Sequence, residues 1–493
     1  MDFAVNNTDL QDIIVSARNE FDKLLDFVTH QPSRQALHEV EQGIFQQLLL
    51  LGHTLLKIFL LACGTGNVGS FHKDKKGVSR RNKGLRQLIY FSIFGKVKID
   101  RSRYWERGMG SVYPLDAMLN LPKNCYSYLL QEWGILIGVQ GAWSKVTALL
   151  KEMLQIDLWN SSCERIAADN SKYVEQFYEK QRSPESTEEG DLMVVTIDCK
   201  GVPMKKEKPN KKRVRLKKGE KPGKKKMATV TVAYTVDRHE RNADDIVKES
   251  VDKISTQKEE TPKSNRPSPK YKIAKATFEG KETAVQDLAA QVKKRNSEGR
   301  KEGVALMDGE PKLRALIGIY LPSFCIILDL YHVLEYLWKA VYVFHSEGTK
   351  EAEHWVQCML RLLLQGAIED IILYLRVHLE YSDLSKAKCE VLEKVIGYLD
   401  NGKAFMKYDE YLSKGYPIGS GVVEGACRNL VKDRMELVGM RWSIPGAESM
   451  LQLRSLTVNG VSKDFWAFRT TSEKQKLYES LPEVEDPLLL KAA

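Results

Sequence analysis

The chain has 493 residues, 43% of them hydrophobic and 28% charged, which is an ordinary composition for a soluble globular protein with room for several domains. Its longest apolar run, residues 48–61, is interrupted by polar residues and predicts no membrane span. The eight cysteines lie at least 31 residues apart, so no zinc finger is expected. The first residues are polar and indicate no signal segment, which predicts a cytoplasmic protein, nucleoid-associated if bacterial.

The N-terminal part of the chain is predicted to be mainly helical. Apolar residues recur at helical spacing through residues 1–63, and a polar, basic stretch at residues 71–83 indicates a linker. Residues 1–84 therefore form a first predicted region. A β-hairpin is predicted next, at residues 87–104, because Val97 and Ile99 alternate with lysines there.

Helical periodicity returns over residues 123–181. Two helices, at residues 143–155 and 161–181, could form a DNA-recognising helix-turn-helix, and a plain packed helical hairpin fits equally well. The second helix carries few basic residues in its first part, so this pattern does not separate the two possibilities. Together with the hairpin, these helices make residues 85–182 a candidate DNA-binding region.

Apolar runs then predict a core of strands and helices. The strands are expected at residues 192–197, 226–237, 303–307 and 323–328, and the helices at 283–295 and 311–321. The predicted core covers residues 190–331 and contains a basic loop at 205–226 and a polar, flexible insert at 238–270. The fold class expected from this order is α/β.

Three of the predicted strands run directly into an aspartate, namely Asp198, Asp308 and Asp329. Because α/β sheets place their ligands at the carboxyl edge, and because Mg²⁺ prefers carboxylate oxygens, this pattern predicts a divalent-cation site. A further acid, Glu424, follows a glycine turn in a predicted helix over residues 422–435. Each acid alone also fits a purely structural role, as a turn former, a helix cap or a first-turn acid.

Positive charge is concentrated in one segment of the chain. Thirteen Lys or Arg lie between Lys205 and Lys226 against Glu207 and Glu220, so the rest of the chain is close to neutral. Such a cluster favours phosphate contact over a merely solvated loop or a targeting tract. The candidate DNA-binding residues are Lys211, Lys212, Arg213, Arg215, Lys217, Lys218, Lys224, Lys225 and Lys226, together with Arg428 and Lys432 on the Glu424 helix.

The rest of the chain is predicted to be helical. An all-α block is expected at residues 332–414, and residues 415–493 contribute helices that complete the core. Four motifs in this order, Asp198–Met204, Leu306–Glu310, Asp329–His332 and Tyr416–Arg428, resemble bacterial insertion-sequence transposases of the Kra group, which are DDE enzymes akin to the Mutator-like superfamily. The resemblance covers roughly residues 85–468.

The resemblance implies an RNase H-like catalytic core interrupted by an all-α insertion. By position, Asp198, Asp308 and Glu424 match the catalytic, metal-binding acids, and Asp329 and His332 match an accessory Asp-x-x-His signature. The family topology implies that the Asp308 strand lies beside the Asp198 strand and that the Asp329 strand lies one further out. At strand spacing Asp329 would start about 10 Å from Asp198, so Asp308 is the expected second acid.

The activity implied by the resemblance is DNA transposition. Two Mg²⁺ ions, replaceable by Mn²⁺, would support cleavage of double-stranded DNA at the terminal inverted repeats and strand transfer into target DNA. A homodimer or larger assembly is expected on DNA, because two ends must be joined, and no membrane partner is expected. The alternatives are an RNase H-like nuclease without strand transfer and an inactive relic that only binds DNA.

Overall fold

The computed structural model describes residues 7–30, 36–205, 225–247 and 266–481. These residues form two compact units, and the boundaries between them fall at residues 179/180 and 460/461. The first unit holds the residues up to Glu179 together with those from Val461 onward, and the second holds Lys180–Gly460. The second unit carries all of the acids singled out above.

The first unit combines helices with a four-stranded antiparallel sheet in the order β1-β2-β3-β4. Val97 and Ile99 of the predicted hairpin are buried in its core, as their alternation with lysines predicted. The strands are β1 (Phe71–Lys73), β2 (Ser79–Ser92), β3 (Gly95–Glu106) and β4 (Gly110–Val112). The helices are Asn7–His30, Leu37–Ala62, Pro114–Met118, Tyr128–Gly138, Trp143–Leu154, Asn160–Ser171, Val174–Lys180 and Ser462–Tyr478.

The prediction of a linker at residues 71–83 is wrong, because β1 and the beginning of β2 occupy most of this segment. A buried aspartate explains the difference. Asp74 Oδ1 accepts hydrogen bonds from the backbone N–H groups of Lys76 and Val78, and Oδ2 pairs with Arg80 at 2.8 Å. This closed turn joins two polar strands that lack an apolar alternation.

The C-terminal helix Ser462–Tyr478 lies in the first unit, whereas the sequence grouped residues 415–493 in one region. Aromatic packing explains its position. The rings of Phe465 and Phe177 meet edge-on with centroids 5.7 Å apart, and Arg469 Nε donates to Asn170 Oδ1 at 3.0 Å. The predicted helix 161–181 is also divided, into Asn160–Ser171 and Val174–Lys180.

The second unit is a mixed α/β structure around a five-stranded sheet. Its strands are β5 (Leu192–Pro203), β6 (Lys225–Val236), β7 (Lys270–Thr277), β8 (Glu302–Met307) and β9 (Cys325–Leu328). The order across the sheet is β7-β6-β5-β8-β9, and only β6 runs antiparallel to the others. The four predicted core strands are confirmed. β7 was not predicted, since Lys270, Lys272 and Lys275 interrupt its apolar residues.

Helices cover this sheet on both faces. On one face, Lys281–Arg295 and Pro311–Tyr320 pack against the odd residues Met193, Val195 and Ile197 of β5. The even residues of β5, Leu192 and Val194, are fully buried on the other face. A strand buried on both faces reads as a continuous apolar run, which is why the sequence located it.

The predicted all-α block follows β9 and consists of Leu330–Phe344, Lys350–Leu364, Ile368–Tyr381, Lys386–Gly402, a 3₁₀ turn Lys403–Phe405 and Tyr408–Ser413. The Glu424 region then contains Gly421–Ala426, a π-helical turn Cys427–Lys432 and Asp433–Met435, and Ile444–Val458 follows. π-Helical turns occur mostly as insertions within α-helices and often at functional sites. The single helix predicted over 422–435 is therefore irregular at its centre.

Candidate active site

Asp198 and Asp308 lie where the parallel pairing of β5 with β8 stops. Asp308 follows the last residue of β8, whereas β5 continues past Asp198 to Pro203, so the strand end predicted at residue 197 is wrong. The last paired residues of β5 and β8 are Ile197 and Met307, and the next residue along each strand is the aspartate. Neighbouring strands are about 4.8 Å apart, so the two carboxylates begin side by side at the carboxyl edge. The sequence singled out these two residues, and the strand pairing brings their backbones together.

Asp198 is half-buried and held by two hydrogen bonds. Its Oδ1 accepts from the backbone N–H of Cys199 at 2.5 Å, and its Oδ2 accepts from the Cys427 thiol at 3.2 Å. Burial raises the pKa of the Cys427 thiol, and the nearby Asp198 carboxylate raises it further. The thiol therefore stays protonated and remains a hydrogen-bond donor.

Glu424 lies one helical turn before Cys427. Residues three apart share a face of a helix, so the Cys427–Asp198 hydrogen bond brings the Glu424 side of the helix towards Asp198. Glu424 itself is exposed. Gly419 makes the preceding turn possible, because a Cβ there would lie 2.8 Å from the Tyr331 ring.

Asp308 lies in a tight turn after β8. Its Oδ1 accepts from the backbone N–H of Glu310 at 3.1 Å, and Gly309 between them has a φ of +89°. The Tyr398 hydroxyl donates to the Asp308 carbonyl at 3.4 Å, and Glu310 pairs with Lys281 at 2.6 Å. The side chain of Asp308 is thus oriented by its own turn and is half-buried.

Asp329 lies one strand further out and is fully buried. Its Oδ1 accepts from the backbone N–H of Tyr331 at 2.8 Å and caps the helix Leu330–Phe344, while its Oδ2 accepts from the backbone N–H of Ser420 at 3.1 Å. This carboxylate therefore ties the helix start to the turn that precedes Glu424. These contacts give Asp329 the structural role of a helix cap.

His332 lies on the first turn of the helix that Asp329 caps. Its Nδ1 is buried and has no hydrogen-bond partner among the residues that the structure describes. His332 and Glu424 both act electrostatically on Asp329, the first favouring its ionised form and the second opposing it. The accessory pair Asp329–His332 thus lies close to Glu424.

Burial raises the pKa of Asp329 from 3.8 to about 6, although the Tyr331 and Ser420 N–H groups and His332 oppose the shift. A raised pKa means that the folded chain holds this proton more tightly than the unfolded chain does. The resulting stability is therefore full below pH 3.8 and is lost as the pH rises through about 6.

Between pH 4 and pH 7, wild-type protein should lose on the order of 2 kcal/mol more stability than Asp329→Asn, in which this group no longer titrates. Urea unfolding at several pH values measures the difference. Asn keeps one acceptor oxygen, so the variant should remain folded. Parallel stability profiles for the two proteins would contradict a titration of Asp329 in this range.

The three predicted acids suit Mg²⁺ in donor chemistry, since carboxylate oxygens are its preferred protein ligands. Two of them, Asp198 and Asp308, are also adjacent. Within residues 7–30, 36–205, 225–247 and 266–481, however, no group of three or more His, Cys, Asp or Glu side chains is arranged to hold a metal ion. The acids therefore fit the ion in type, but the three-ligand set is not assembled.

Most of the predicted DNA-binding residues, from Lys211 to Lys224, lie outside the described residues. Lys225 begins β6 and pairs with Glu436, and Lys226 lies 5.8 Å from the centre of the Phe278 ring. Arg428 is exposed and approaches Asp433 at 3.6 Å, and Lys432 is exposed. Arg428 and Lys432 follow Glu424 along the same helical segment.

Three residues of the site were not singled out from the sequence, namely Cys427, Lys281 and Tyr398. Cys427 could have been found, because it follows Glu424 by three residues in a predicted helix. Lys281 and Tyr398 had no such signal, since they reach Asp308 and its turn from distant helices.

No protein-family model matches the chain, and no curated protein matches it. Among solved structures, the Drosophila P element transposase strand transfer complex matches with 10% sequence identity, covering 74% of this chain and 88% of that chain, at a TM-score of 0.25. At these values the likeness identifies neither a family nor an activity for the chain.

Proposed function

We propose that the chain is a DDE transposase that cleaves DNA at the ends of an insertion sequence and transfers the strands into target DNA. One observation carries this proposal. Asp198 and Asp308 directly follow the last paired residues of two adjacent parallel strands, and the helical segment bearing Glu424 is attached to Asp198 through the Cys427 thiol.

The sheet order supports an RNase H-like core for this enzyme. The Asp308 strand lies beside the Asp198 strand and the Asp329 strand lies one further out, as the resemblance to Kra-group transposases implies. The helices between Leu330 and Ser413 fall between β9 and the Glu424 segment, where that family carries an all-α insertion.

Asp198, Asp308 and Glu424 are the residues that would hold Mg²⁺. Bound there, the ions would supply a water nucleophile at neutral pH and neutralise charge on the phosphodiester. The chain's own contribution is orientation. The Cys427 thiol fixes Asp198, the Glu310 N–H fixes Asp308, and the Asp329–Ser420 hydrogen bond fixes the turn before Glu424.

The basic residues would hold the DNA backbone. Arg428 and Lys432 follow Glu424 along the helix and are exposed, so they are available to phosphates beside the acids. Positive charge of this kind makes the affinity for DNA fall steeply as the salt concentration rises, because counterions bound to the DNA are released when the protein binds. The segment 205–226 would add to the same effect.

The test compares wild type with Asp198→Asn on DNA that carries the element's inverted repeats. Wild type should cut and join this DNA with Mg²⁺ or Mn²⁺, and Asp198→Asn should lose at least about 10³-fold in rate, or about 4 kcal/mol of transition-state stabilisation. Calorimetric titration with Mn²⁺ without DNA should show weaker metal binding by the variant. DNA affinity should stay within about twofold, since one neutralised acid removes no phosphate contact.

Three results would contradict the proposal. Cutting without joining would indicate a nuclease. No cutting by wild type with either metal, together with intact DNA binding, would indicate a relic that only binds. Loss of DNA binding in Asp198→Asn would give this residue a structural role instead.

A further inference from the structure

The helices Asn7–His30 and Leu37–Ala62 expose an unusual amount of apolar surface. Leu37–Ala62 passes, by length and composition, as a membrane-spanning helix, with a mean hydropathy of 1.7 in its most apolar window, only 6% of which is buried. No membrane span was predicted from the sequence, because the apolar run at residues 48–61 is short and is interrupted by polar residues. The open stripe, as we name it here, consists of Phe21, Leu25, Val28, Leu37, Leu48, Leu55 and Phe59, which are 36–74% exposed.

The open stripe forms one continuous face. The two helices are antiparallel, since a Cβ at Gly43 would lie 2.5 Å from the Phe27 ring while Thr54 Oγ1 donates to Glu20 at 3.1 Å. Viewed along each helix from its N-terminus, the stripe is rotated in the same direction away from the line along which the two helices touch. Because the helices run in opposite directions, these two positions lie on the same side of the helix pair. The two halves of the stripe are therefore neighbours.

The spacing on the second helix is that of a coiled-coil seam. Apolar residues recur at steps of four, three and four from Ile44 through Leu48 and Leu51 to Leu55, and Phe59 and Ala62 extend the row. A repeat that averages 3.5 residues keeps one seam facing a partner helix. The first helix does not fill this seam, because Leu48 and Leu55 are 47% and 51% exposed.

Part of Leu37–Ala62 already packs against protein. Gly52 lies against Phe94, where a Cβ would come within 2.5 Å of the ring, and Leu56 and Leu60 pack on the buried cluster of Val97 and Ile99. A helix that crosses a bilayer alone must face lipid all round. Leu37–Ala62 instead packs on protein along one side, so its open stripe fits a protein partner.

Charge also disfavours a lipid surface and DNA. The described residues of the two helices carry seven acids, including Asp22, Asp26 and Glu41, against the bases Arg18, Lys23 and Lys57. Membrane-surface helices instead combine an apolar face with a basic one, which anionic lipid attracts. An acidic surface likewise repels phosphate.

We propose that the open stripe binds the same stripe on a second copy of this chain. Seven large side chains, each about half exposed, offer roughly 650 Å² per protomer, so a two-fold pairing would bury about 1,300 Å² in total. That area lies within the range of about 1,200–2,000 Å² that stable interfaces bury. A two-fold axis lets one patch serve both partners.

The test is the solution mass of the full chain, measured by light scattering during size-exclusion chromatography without DNA or metal. Wild type should elute at twice 56.2 kDa, and Leu48→Glu and Leu55→Glu should each elute at 56.2 kDa at micromolar concentration. The matched control is Leu50→Glu. Leu50 is 62% exposed on the same helix but lies off the open stripe, so this variant should stay dimeric.

Several outcomes would overturn the proposal. These are a monomeric wild type, dissociation of Leu50→Glu to the same extent, or dimeric Leu48→Glu and Leu55→Glu. Flotation of wild type, but not Leu48→Glu, with phosphatidylcholine vesicles would instead assign the stripe to a membrane. Unchanged melting temperatures show that the variants are folded, since exposed positions tolerate substitution. Because neither DNA nor metal takes part, this result is independent of the proposed transposase activity.

Discussion

Asp308→Asn is expected to abolish DNA cleavage, with a rate loss of at least about 10³-fold, while the melting temperature changes by no more than about 2 °C. Asp308 is half-buried, and its one side-chain hydrogen bond, from the Glu310 N–H at 3.1 Å, can be kept by the Asn oxygen. What the variant loses is negative charge beside Asp198, which the proposed metal binding would require. Cleavage of end-bearing DNA with Mn²⁺ and thermal unfolding together measure the two effects.

The matched comparison is Asp329→Asn, one strand further out. Asp329 uses both carboxylate oxygens, on the N–H groups of Tyr331 and Ser420, and Asn can replace only one of these acceptors. Near neutral pH, a lost buried hydrogen bond should cost about 1–2 kcal/mol and lower the melting temperature by several degrees. Some cleavage should remain. Cleavage by Asp308→Asn, with none by a fully stable Asp329→Asn, would instead make Asp329 the second acid.

Glu189→Ala should cause the largest loss of stability, about 3–5 kcal/mol, which lowers the melting temperature by about 10 °C. The Glu189 side chain is 1% exposed and pairs with Arg295 and with Lys301, whose nitrogens approach at 2.8 and 2.9 Å. Removing the carboxylate leaves both cations buried without their charge partner. Breaking a buried pair costs more than the pair contributes, because the remaining charge stays desolvated.

This cluster joins the chain just before β5 to the end of the helix Lys281–Arg295 and to the beginning of β8. It therefore lies beside the beginning of β5, several residues away from Asp198 along that strand. The control is Glu185→Ala, since Glu185 is exposed and only four residues away. Thermal unfolding should separate the two variants clearly. A melting temperature for Glu189→Ala within about 2 °C of that of the control would contradict the role assigned to the cluster.

The sequence by itself determined the local elements of the second unit. The apolar runs of β5, from Leu192 to Ile197, and of β8 are each followed by a single acid, so composition alone located both runs and the acids after them. The continuation of β5 to Pro203 was missed. Helical spacing likewise located the block after Asp329. β7 was missed because three lysines interrupt its apolar residues, and its place in the sheet comes from pairing with β6.

The tertiary structure alone decided which acids are neighbours and which of them is a buried cap. Strand pairing places Asp198 beside Asp308, whereas Asp329, with the same local pattern, becomes a buried cap for two N–H groups. The Cys427–Asp198 hydrogen bond joins residues 229 positions apart. Local propensity acts over a few residues, whereas strand order, burial and such contacts depend on how apolar faces from distant parts of the chain pack together. A single sequence shows where those apolar faces are, but it does not show which face packs against which.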